Sequence, residues 1–569
     1  MNKTKLLSLL FSAIMLFSIE GKACTNYLIT KGASTDGSTM ISYAADSHLL
    51  YGELYHWPAA KWPAGTMMKV YEWDTGKLLG EIPQATETYN VIGNMNEHQV
   101  SIGETTYGGR SELGSQDGAI MDYGSLIYTA LQRSKNAREA MKIMTELVAQ
   151  YGYYSSGESF SIADKNEVWI MEMIGKGQGE KGAVWVAVRI PDGYISGHAN
   201  QARITTFPQS GKKAISSKQF DRLYDTKVET IYAHDVISFA KSQGYFTGKD
   251  KNFDFSAAYA PLDFGAARFC DARVYTAFLK VDKKMQKYED YAMGDITKER
   301  MPLWIKVKEK LSVQDVMELM RDHYEGTPMD MTADIGAGPS KLPYRWRTLT
   351  WEYDGKKYCN ERAISTQQTG FSFVTQSRSW LPDAVGGIIW FGVDDTYSTV
   401  YTPIYTSTTE IPPSMKVGNG SMVEYSETSA FWTFNRVTNF AYMRYDVIIK
   451  DIRKKQHELE TKYTQLVPAI DKAAAELYKT NPELAIEFLS DFSVDNAEKM
   501  VADWKELDKY LLVKYMDGNV KKEEDGKFKM NEYNYPASPN YPGYSEEWRK
   551  RVVEDTEGKL LVPESKDGH

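Results

Sequence analysis

Apolar and polar residues alternate at strand spacing in the segments that follow residue 24, with turn residues between the runs. Residues 25–30 and 39–43 are rich in β-forming residues, and residues 34–38 between them read Ser-Thr-Asp-Gly-Ser, which is typical of a turn. The pattern predicts a β-hairpin over residues 25–43. Further strand-like runs lie at residues 98–106, 167–174, 183–190, 193–197, 364–376 and 387–393.

Two helices are predicted among these strands, at residues 125–133 and 137–150. The second has one apolar face, made by residues at spacings of three and four: Ala137, Ala140, Met141, Met144, Leu147 and Val148. Strands, a helical pair and strands again favour an α+β fold in which helices are layered on antiparallel sheets.

From about residue 440 the apolar spacing changes to that of helices. One predicted helix has an apolar face formed by Ile448, Ile452, Leu459, Tyr463, Leu466 and Ile470. Pro468 is expected to disturb this helix, and Ser493 is expected to cap the next one. The predicted organisation is a leader (1–23), a body (24–435), a helical C-terminal region (436–517) and an extended surface tail (518–569).

The first 23 residues have the pattern of a secretory signal peptide. Two lysines lie within residues 1–5, residues 6–19 are apolar apart from serines, and Gly21-Lys22-Ala23 provides small residues for a signal peptidase. The apolar run is too short to span a bilayer as a stable helix, and no later run of about 18 apolar residues follows. We expect cleavage after Ala23, export to the periplasm or the medium, and no membrane span.

Cleavage there would make Cys24 the first residue of the mature chain. Such a cysteine carries a nucleophile and a base in one residue, a thiol with a pKa of about 8.5 and an α-amine with a pKa of about 7.7 to 8.0. The amine can take the thiol proton directly or through a water, so no histidine is required. Two other interpretations remain at this point, an accidental cysteine and a lipid anchor, although Gly21 stands where lipidation normally needs an aliphatic residue.

Composition excludes several classes of function. The 569 residues are 13% aromatic, too many for an extended disordered chain, and 76 acidic against 67 basic residues argue against nucleic acid as the main partner. His48, His56 and His98 are scattered, and cysteines with zinc spacing are lacking, so neither a metal nor a cofactor is predicted. Cys270 and Cys359 can pair in an oxidising compartment, but their spacing does not establish a bond.

Several motifs resemble, in order, those of the cysteine dipeptidases related to bacterial dipeptidase A and the secernins, which are N-terminal-nucleophile hydrolases. They are Cys24-Thr25-Asn26-Tyr27-Leu28-Ile29, Asp36-Gly37-Ser38-Thr39-Met40-Ile41, Asp46-Ser47, Asn96-Glu97, Glu104-Thr105-Thr106, His198-Ala199-Asn200-Gln201-Ala202-Arg203-Ile204 and Gly386-Gly387-Ile388-Ile389-Trp390-Phe391-Gly392. The resemblance implies a four-layer αββα sandwich with an added C-terminal helical region, and hydrolysis of small peptides, namely dipeptides.

The resemblance also implies roles for individual residues. The Cys24 sulfur would attack the amide carbonyl, and Asp46 would hold the α-amine or receive a positive group of the substrate. Asn200 would donate to an oxyanion hole, completed by a backbone N–H of the segment that carries Asn96, Glu104 and Thr106. The wider superfamily has an arginine three residues before Asp46, where this chain has Tyr43.

An active-site arginine is expected near residue 270. Arg268 and Arg273 are the candidates, and Arg268 is preferred.

Other interpretations of the function remain open: an amidase acting on a bile-acid or penicillin type of amide, and a non-catalytic binding protein or surface lipoprotein. A homo-oligomer is also left open.

Overall fold

The computed structural model describes residues 24–563. Within them the architecture is α+β, with several antiparallel sheets and a helical C-terminal region, which confirms the predicted fold class at this level. The predicted signal peptide, residues 1–23, lies outside the described residues, as do residues 564–569.

The strands and helices follow one another along the described chain in a mixed order. The strands are β1 (Asn26–Ile29), β2 (Thr39–Asp46), β3 (His56–Trp57), β4 (Ala60–Lys61), β5 (Met67–Tyr71), β6 (Leu78–Pro83), β7 (Glu87–Thr88), β8 (Val91–Ile92), β9 (Met95–Asn96), β10 (Ser101–Gly108), β11 (Gly157–Ala163), β12 (Val168–Gly175), β13 (Ala183–Arg189), β14 (Tyr194–His198), β15 (Ala214–Ser216), β16 (Thr230–Tyr232), β17 (Trp304–Lys306), β18 (Thr350–Tyr353), β19 (Lys356–Cys359), β20 (Thr369–Ser377), β21 (Gly387–Val393), β22 (Thr402–Tyr405), β23 (Glu523–Glu524) and β24 (Lys527–Phe528). The α-helices are α1 (Tyr123–Leu131), α2 (Ala137–Tyr151), α3 (Val236–Ser242), α4 (Phe255–Tyr259), α5 (Ala272–Val281), α6 (Glu289–Ala292), α7 (Val313–Leu319), α8 (Asp383–Gly386), α9 (Ala430–Met443), α10 (Tyr445–Thr480), α11 (Pro482–Tyr515) and α12 (Glu546–Asp555).

Two large sheets carry most of the buried strands. One has seven strands in the order β17-β14-β1-β2-β20-β21-β22, and the other has nine in the order β15-β16-β13-β12-β11-β10-β9-β8-β3. The predicted hairpin is present as β1 and β2, with Leu28 opposite Ile41 and Ile29 opposite Met40. Every residue of β2 and of β20 is buried, so the centre of the seven-stranded sheet is covered on both faces.

Polar side chains join the two large sheets. His198 of β14 lies between two hydroxyls of the nine-stranded sheet, with Thr105 Oγ1 2.7 Å from Nδ1 and Ser161 Oγ 2.7 Å from Nε2. Burial, with the charge of Arg203, lowers the pKa of His198 to about 3, so the ring is neutral and can donate on one side and accept on the other. The Asn26 amide is also 3.1 Å from Ser161 Oγ. These bonds satisfy groups that would otherwise be buried at a cost.

Helices pack on both large sheets. α1 and α2 pack on β10, β11 and β13, whereas α7, α9, α10 and α11 pack on β2, β20, β21 and β22. The predicted helices at 125–133 and 137–150 correspond to α1 and α2. Asp122 and Asn136 cap them by accepting from Ser125 N and Glu139 N, which explains why the helices begin where they do.

Two local expectations about the C-terminal helices need correction. α10 continues through Pro468, because this proline is on the solvent side, where water can bond the carbonyl that loses its helical partner. Ser493 does not cap a helix: it lies inside α11, which Asn481 caps, and the Ser493 hydroxyl donates to the Leu489 carbonyl at 2.7 Å. The division of the chain into a body and a C-terminal region stays a prediction, and α9 extends across residues 435 and 436.

The tail after residue 518 is also less uniform than predicted. Its described part contains the short hairpin of β23 and β24 and the helix α12, which Ser545 caps. Among residues 24–563, no helix has both the length and the apolar character needed to cross a membrane.

Candidate active site

Cys24 lies at the open end of the β1–β2 hairpin. Thr25 bridges Ala44 of β2, with the Ala44 N–H donating to the Thr25 carbonyl at 3.2 Å. The Cys24 Sγ is 3.7 Å from Tyr43 Oη and 3.7 Å from Glu104 Oε1. Only 1% of Cys24 is exposed, so its sulfur lies in the protein interior.

Tyr43 and Glu104 reach the sulfur from different sheets. The Tyr43 hydroxyl, on β2, donates to Glu104 Oε1, on β10, at 2.9 Å. The Tyr43 ring packs beside Phe371 and Phe373 of β20, with ring centroids 5.8 and 5.3 Å away. At the position where the resemblance leads one to expect an arginine, this chain therefore presents a hydroxyl to the sulfur.

The surroundings of Cys24 favour the neutral thiol. Burial, then the negative charges of Glu104 and Asp46, raise the pKa of the Cys24 thiol well above its ordinary value, while the Asp46 backbone N–H and the Tyr43 hydroxyl act in the opposite direction. A thiol in this state is a weak nucleophile at neutral pH. If this sulfur is to act as a nucleophile, the site needs a base that takes the thiol proton.

Asp46 is held by residues of the segment that precedes β20 and of its first position. A β-bulge between Ala45 and Asp46 ends the regular pairing of β2 with β20. The Asp46 carboxylate accepts from Arg362 Nη2 and from Thr369 Oγ1, each at 2.6 Å. Gln368 Nε2 donates to the Asp46 carbonyl at 3.1 Å. Since Asp46 is fully buried, this ion pair with Arg362 offsets part of the cost of burying its charge.

Arg273 is the arginine that contacts Cys24. It lies near the start of α5, directly after a π-helical turn over Ala266–Asp271. Its guanidinium donates to five oxygens, at 2.7 to 3.0 Å: those of the Cys24 carbonyl, Thr25 Oγ1, the Ala199 carbonyl, Asn200 Oδ1 and the Phe269 carbonyl. One side chain therefore fixes the backbone of Cys24 relative to Asn200.

Arg268, the preferred candidate from the sequence, has other partners. Its guanidinium forms a two-pronged ion pair with Glu361 and donates to the Met293 carbonyl at 2.7 Å. Of the two candidates, Arg273 is thus the one that contacts Cys24, and which arginine acts in the site stays a prediction. The local sequence could not separate them because Glu361, the partner that engages Arg268, is 93 residues away.

Asn200 has a backbone conformation that few residues adopt. Its φ is +64°, in the left-handed region that asparagine tolerates better than most residues. Its Nδ2 donates to the Thr106 carbonyl at 2.6 Å and its Oδ1 accepts from Arg273. These two bonds fix the orientation of the Asn200 amide.

We predict that Asn200→Ala lowers kcat for the hydrolytic reaction by about 10²- to 10³-fold, because it deletes a donor to the developing negative oxygen. KM should change by only a few fold, since the donor acts mainly on the transition state. Asn252→Ala, which removes the same amide from an exposed short turn, is the matched control. Steady-state kinetics on one substrate measures both variants, and an unchanged kcat for Asn200→Ala would refute the role.

The remaining candidates from the sequence, Thr106 and Asn96, lie in different surroundings. Thr106 lies directly opposite Glu158 of β11 and its hydroxyl donates to Glu158 Oε1 at 2.8 Å, next to the Asn200 contact. Asn96 bonds backbone groups only: its Nδ2 donates to the carbonyls of Leu131 and Ser134, and its Oδ1 accepts from two N–H groups of the turn before β10. Asn96 thus anchors the end of α1 to the strand that carries Glu104.

Tyr43, Arg362 and Thr369 are the site residues that sequence reasoning missed. Tyr43 had a signal, because it occupies the position of the expected arginine. Arg362 and Thr369 had no such signal, since they are 316 and 323 residues from Asp46.

Cys270 and Cys359 are both free, so the disulfide that the sequence left open is absent from the structure. Within residues 24–563 no cluster of three or more His, Cys, Asp or Glu side chains is arranged to hold a metal ion.

Two cavities are relevant to the site. The smaller lies beside Asp46, and the larger lies away from the residues around Cys24. One of about 180 Å³ is lined by Gln367, Gln368 and Thr369, which border Asp46. A larger cavity, of about 1130 Å³, is lined by Thr30 and Trp304 at the opposite end of β1. The larger cavity is therefore not part of the arrangement around Cys24, despite its size.

Comparison with known proteins places the chain in a family. Residues 23–458 match the family described as peptidase family C69. The chain is 25% identical over 532 residues to a probable dipeptidase of Latilactobacillus sakei, covering 88% of this chain and 99% of the relative. It is 25% identical over 407 residues to a probable dipeptidase of Salmonella dublin, covering 67% and 81%. A dipeptidase of Bifidobacterium longum (strain NCC 2705) is 21% identical over 515 residues, covering 84% and 88%.

These matches confirm the resemblance on which the sequence was assigned to a family. They also agree with the predicted enzyme class, a cysteine-type dipeptidase. The matched residues begin beside the nucleophile candidate and include every residue that surrounds it, from Cys24 to Thr369. Because the match covers most of its length, the chain belongs to peptidase family C69.

Proposed function

We propose that the protein is an exported dipeptidase that uses the N-terminal cysteine of its mature form, Cys24, as the nucleophile. The observation that carries this proposal is the setting of Cys24, a buried thiol beside Tyr43 and Glu104 whose backbone Arg273 fixes relative to Asn200. Relatives named as probable dipeptidases that align over nearly their whole length support dipeptides as the substrates.

The reaction begins with transfer of the Cys24 thiol proton to the α-amine of the same residue. The sulfur attacks the amide carbonyl carbon, an S–C bond forms, and the oxygen becomes negative beside Asn200. The ammonium then protonates the leaving nitrogen as the C–N bond breaks. Water attacks the thioester, with the amine as base, and releases the acid and the thiol. No histidine takes part, in line with the neutral, doubly bonded state of His198.

The carboxylates around Cys24 suit this internal proton transfer. Glu104 and Asp46 oppose a lone thiolate, as the raised pKa of the Cys24 thiol shows. The same negative charges would stabilise the ammonium that forms when the α-amine takes the proton. The electrostatic free energy that they cost in forming the thiolate and the free energy that they contribute in forming the ammonium would therefore offset each other. Such a site disfavours a free thiolate yet permits a thiolate–ammonium pair during the reaction.

We also propose that the two large sheets form the inner layers of an αββα sandwich. The support is the polar contact between the sheets, through His198, Asn26 and the Tyr43–Glu104 bond, together with helices on the outer face of each sheet. In this arrangement the nucleophile lies between the sheets, which agrees with the burial of Cys24.

Export and maturation can be tested by intact mass and N-terminal sequencing of the protein recovered from the producing cells. We predict loss of residues 1–23 and a free amine on Cys24. The Cys24→Ala variant separates two routes: processing by a signal peptidase would still occur, whereas self-cleavage would not. A lipid mass on Cys24 would block the amine and favour the surface-lipoprotein reading, and a retained leader would contradict the proposed mechanism.

A further inference from the structure

The Tyr43 hydroxyl, the Cys24 thiol and one Glu104 oxygen form a triangle in which each pair of atoms is within hydrogen-bond distance. Tyr43 Oη is 3.7 Å from Cys24 Sγ and 2.9 Å from Glu104 Oε1, and Glu104 Oε1 is 3.7 Å from the sulfur. The triangle holds two protons, one from the thiol and one from the phenol. Once the thiol has lost its proton, the phenol proton is the one of the two that remains beside the sulfur.

The position of the Tyr43 hydroxyl is fixed by packing. Tyr43 lies directly opposite Phe373 in the pairing of β2 with β20, and its ring packs beside Phe371 and Phe373. The residue is only 6% exposed. Because two side-chain torsions place the whole ring, a buried tyrosine holds its hydroxyl at low cost in conformational entropy. The hydroxyl is therefore preorganised beside the sulfur.

A glycine lets the strand that carries Glu104 come close enough for this contact. At Gly103, a Cβ atom would lie 2.6 Å from the Asn26 amide nitrogen and 3.6 Å from the Tyr43 Cβ. The first of these distances is shorter than a non-bonded contact allows, so a larger residue at 103 would push β10 away from β1. The absence of a side chain at Gly103 thus permits Tyr43 and Glu104 to meet at the sulfur.

Tyr43 is also a donor without a charge in a site that contains two buried arginines. Arg273 donates to the Cys24 carbonyl, and Arg362 donates to the Asp46 carboxylate. After burial, the charge of Arg362 is the largest cause that lowers the pKa of Arg273, so the two guanidinium groups repel each other. A hydroxyl at residue 43 can stabilise a negative sulfur without adding a third cation.

We propose that the Tyr43 hydroxyl is a catalytic group that donates a hydrogen bond to the Cys24 sulfur whenever the sulfur carries negative charge. This inference rests on the proposed dipeptidase function and deepens it. The sulfur becomes negative as its proton passes to the α-amine, and again when the S–C bond breaks and its electron pair returns to sulfur. In both steps the phenol keeps its own proton, and the ammonium is the group that returns a proton to the sulfur. Tyr43 therefore stabilises the anion and is not the base.

The first test uses Tyr43→Phe in the mature protein, which removes the hydroxyl and keeps the packed ring. We expect kcat for alanyl-alanine to fall about 10- to 10²-fold, the effect of losing a hydrogen bond to a charged group, with a change in KM of less than about 3-fold. Steady-state kinetics measures both constants.

Tyr405→Phe is the matched control for a purely structural effect. Its hydroxyl donates to the buried Asp471 carboxylate at 2.6 Å, on β22, which β20 and β21 separate from β2. Both variants lose a buried bond from a phenol to a carboxylate, so urea unfolding should show similar losses of stability. Tyr405→Phe should nevertheless keep the wild-type kcat. Equal losses of kcat in the two variants would assign the effect of Tyr43 to structure and overturn the proposal.

A second measurement follows the sulfur itself and does not require that a dipeptide is cleaved. Iodoacetamide alkylates thiolates, and mass spectrometry of the peptide that begins at Cys24 separates this thiol from the other two. The charged groups of Glu104, Asp46 and Arg273 also act on Cys24, and Tyr43→Phe keeps all three. We expect the pH of half-maximal alkylation to rise by about one pH unit in this variant, which corresponds to a tenfold less favourable thiolate.

The outcomes separate this inference from the proposed function. An unchanged kcat or an unchanged alkylation profile in Tyr43→Phe would overturn the role of Tyr43 and leave the dipeptidase function standing. A wild-type enzyme that cleaves no dipeptide would overturn the proposed function. The alkylation profile would then still decide whether Tyr43 donates to the sulfur.

Discussion

Cys24→Ala is expected to lower kcat/KM for dipeptide hydrolysis by at least about 10⁴-fold, because no other group in the site can form the thioester. Tyr43, Glu104 and the Asp46 backbone N–H all contact this sulfur. Release of free amino acids from a panel of dipeptides by the mature protein measures the effect. Cys359→Ala, which removes a thiol from the edge hairpin of β18 and β19, should retain wild-type rates.

The α-amine of Cys24 should matter as much as its sulfur. A mature protein whose amine is acetylated, or one that keeps a single residue before Cys24, should lose activity to a similar extent although its thiol is intact. That result separates an N-terminal nucleophile from an internal cysteine with another base. Full activity in the blocked protein, or in Cys24→Ala, would refute the mechanism. Cleavage of bile-acid or penicillin amides without cleavage of dipeptides would instead favour the amidase reading.

Arg273→Met is expected to have the second-largest effect, on both stability and catalysis. The change leaves five oxygens, three of them buried and two partly buried, without their charged donor and places no new donor among them. Losses of this kind cost roughly 3 to 5 kcal/mol in the free energy of unfolding. Because Arg273 joins the Cys24 carbonyl to Asn200, kcat should also fall by about 10²-fold or more in the folded fraction.

Urea unfolding and steady-state kinetics at low temperature separate these two effects. Arg436→Met is the matched control, since Arg436 is mostly exposed and its ion pair with Asp508 should contribute no more than about 1 kcal/mol. Arg268→Met tests which of the two arginines acts in the site: it should destabilise the protein through loss of the Glu361 pair, with a smaller loss of kcat than Arg273→Met. The opposite order for kcat would restore the original preference for Arg268.

Local patterns in the sequence predicted the parts of the structure that local interactions form. The turn at residues 34–38 lies between two strand-like runs that do pair as β1 and β2. The helix at 137–150 has an apolar face at helical spacing and an asparagine cap just before it, and it forms as α2. Prediction was less accurate at Ser493 and Pro468, where burial and neighbouring elements outweighed the usual preferences of these residues.

The sequence by itself determined the α+β class, the hairpin that carries Cys24, and the family. Each of these depends on residues close together in the chain or on the order of short motifs. Only the tertiary structure decided which arginine reaches Cys24, which group holds Asp46 and which carboxylate faces the sulfur. Those contacts join residues 249, 316 and 80 positions apart. Hydrogen bonds at such separations depend on how sheets and helices pack, and packing leaves no periodic trace in one sequence.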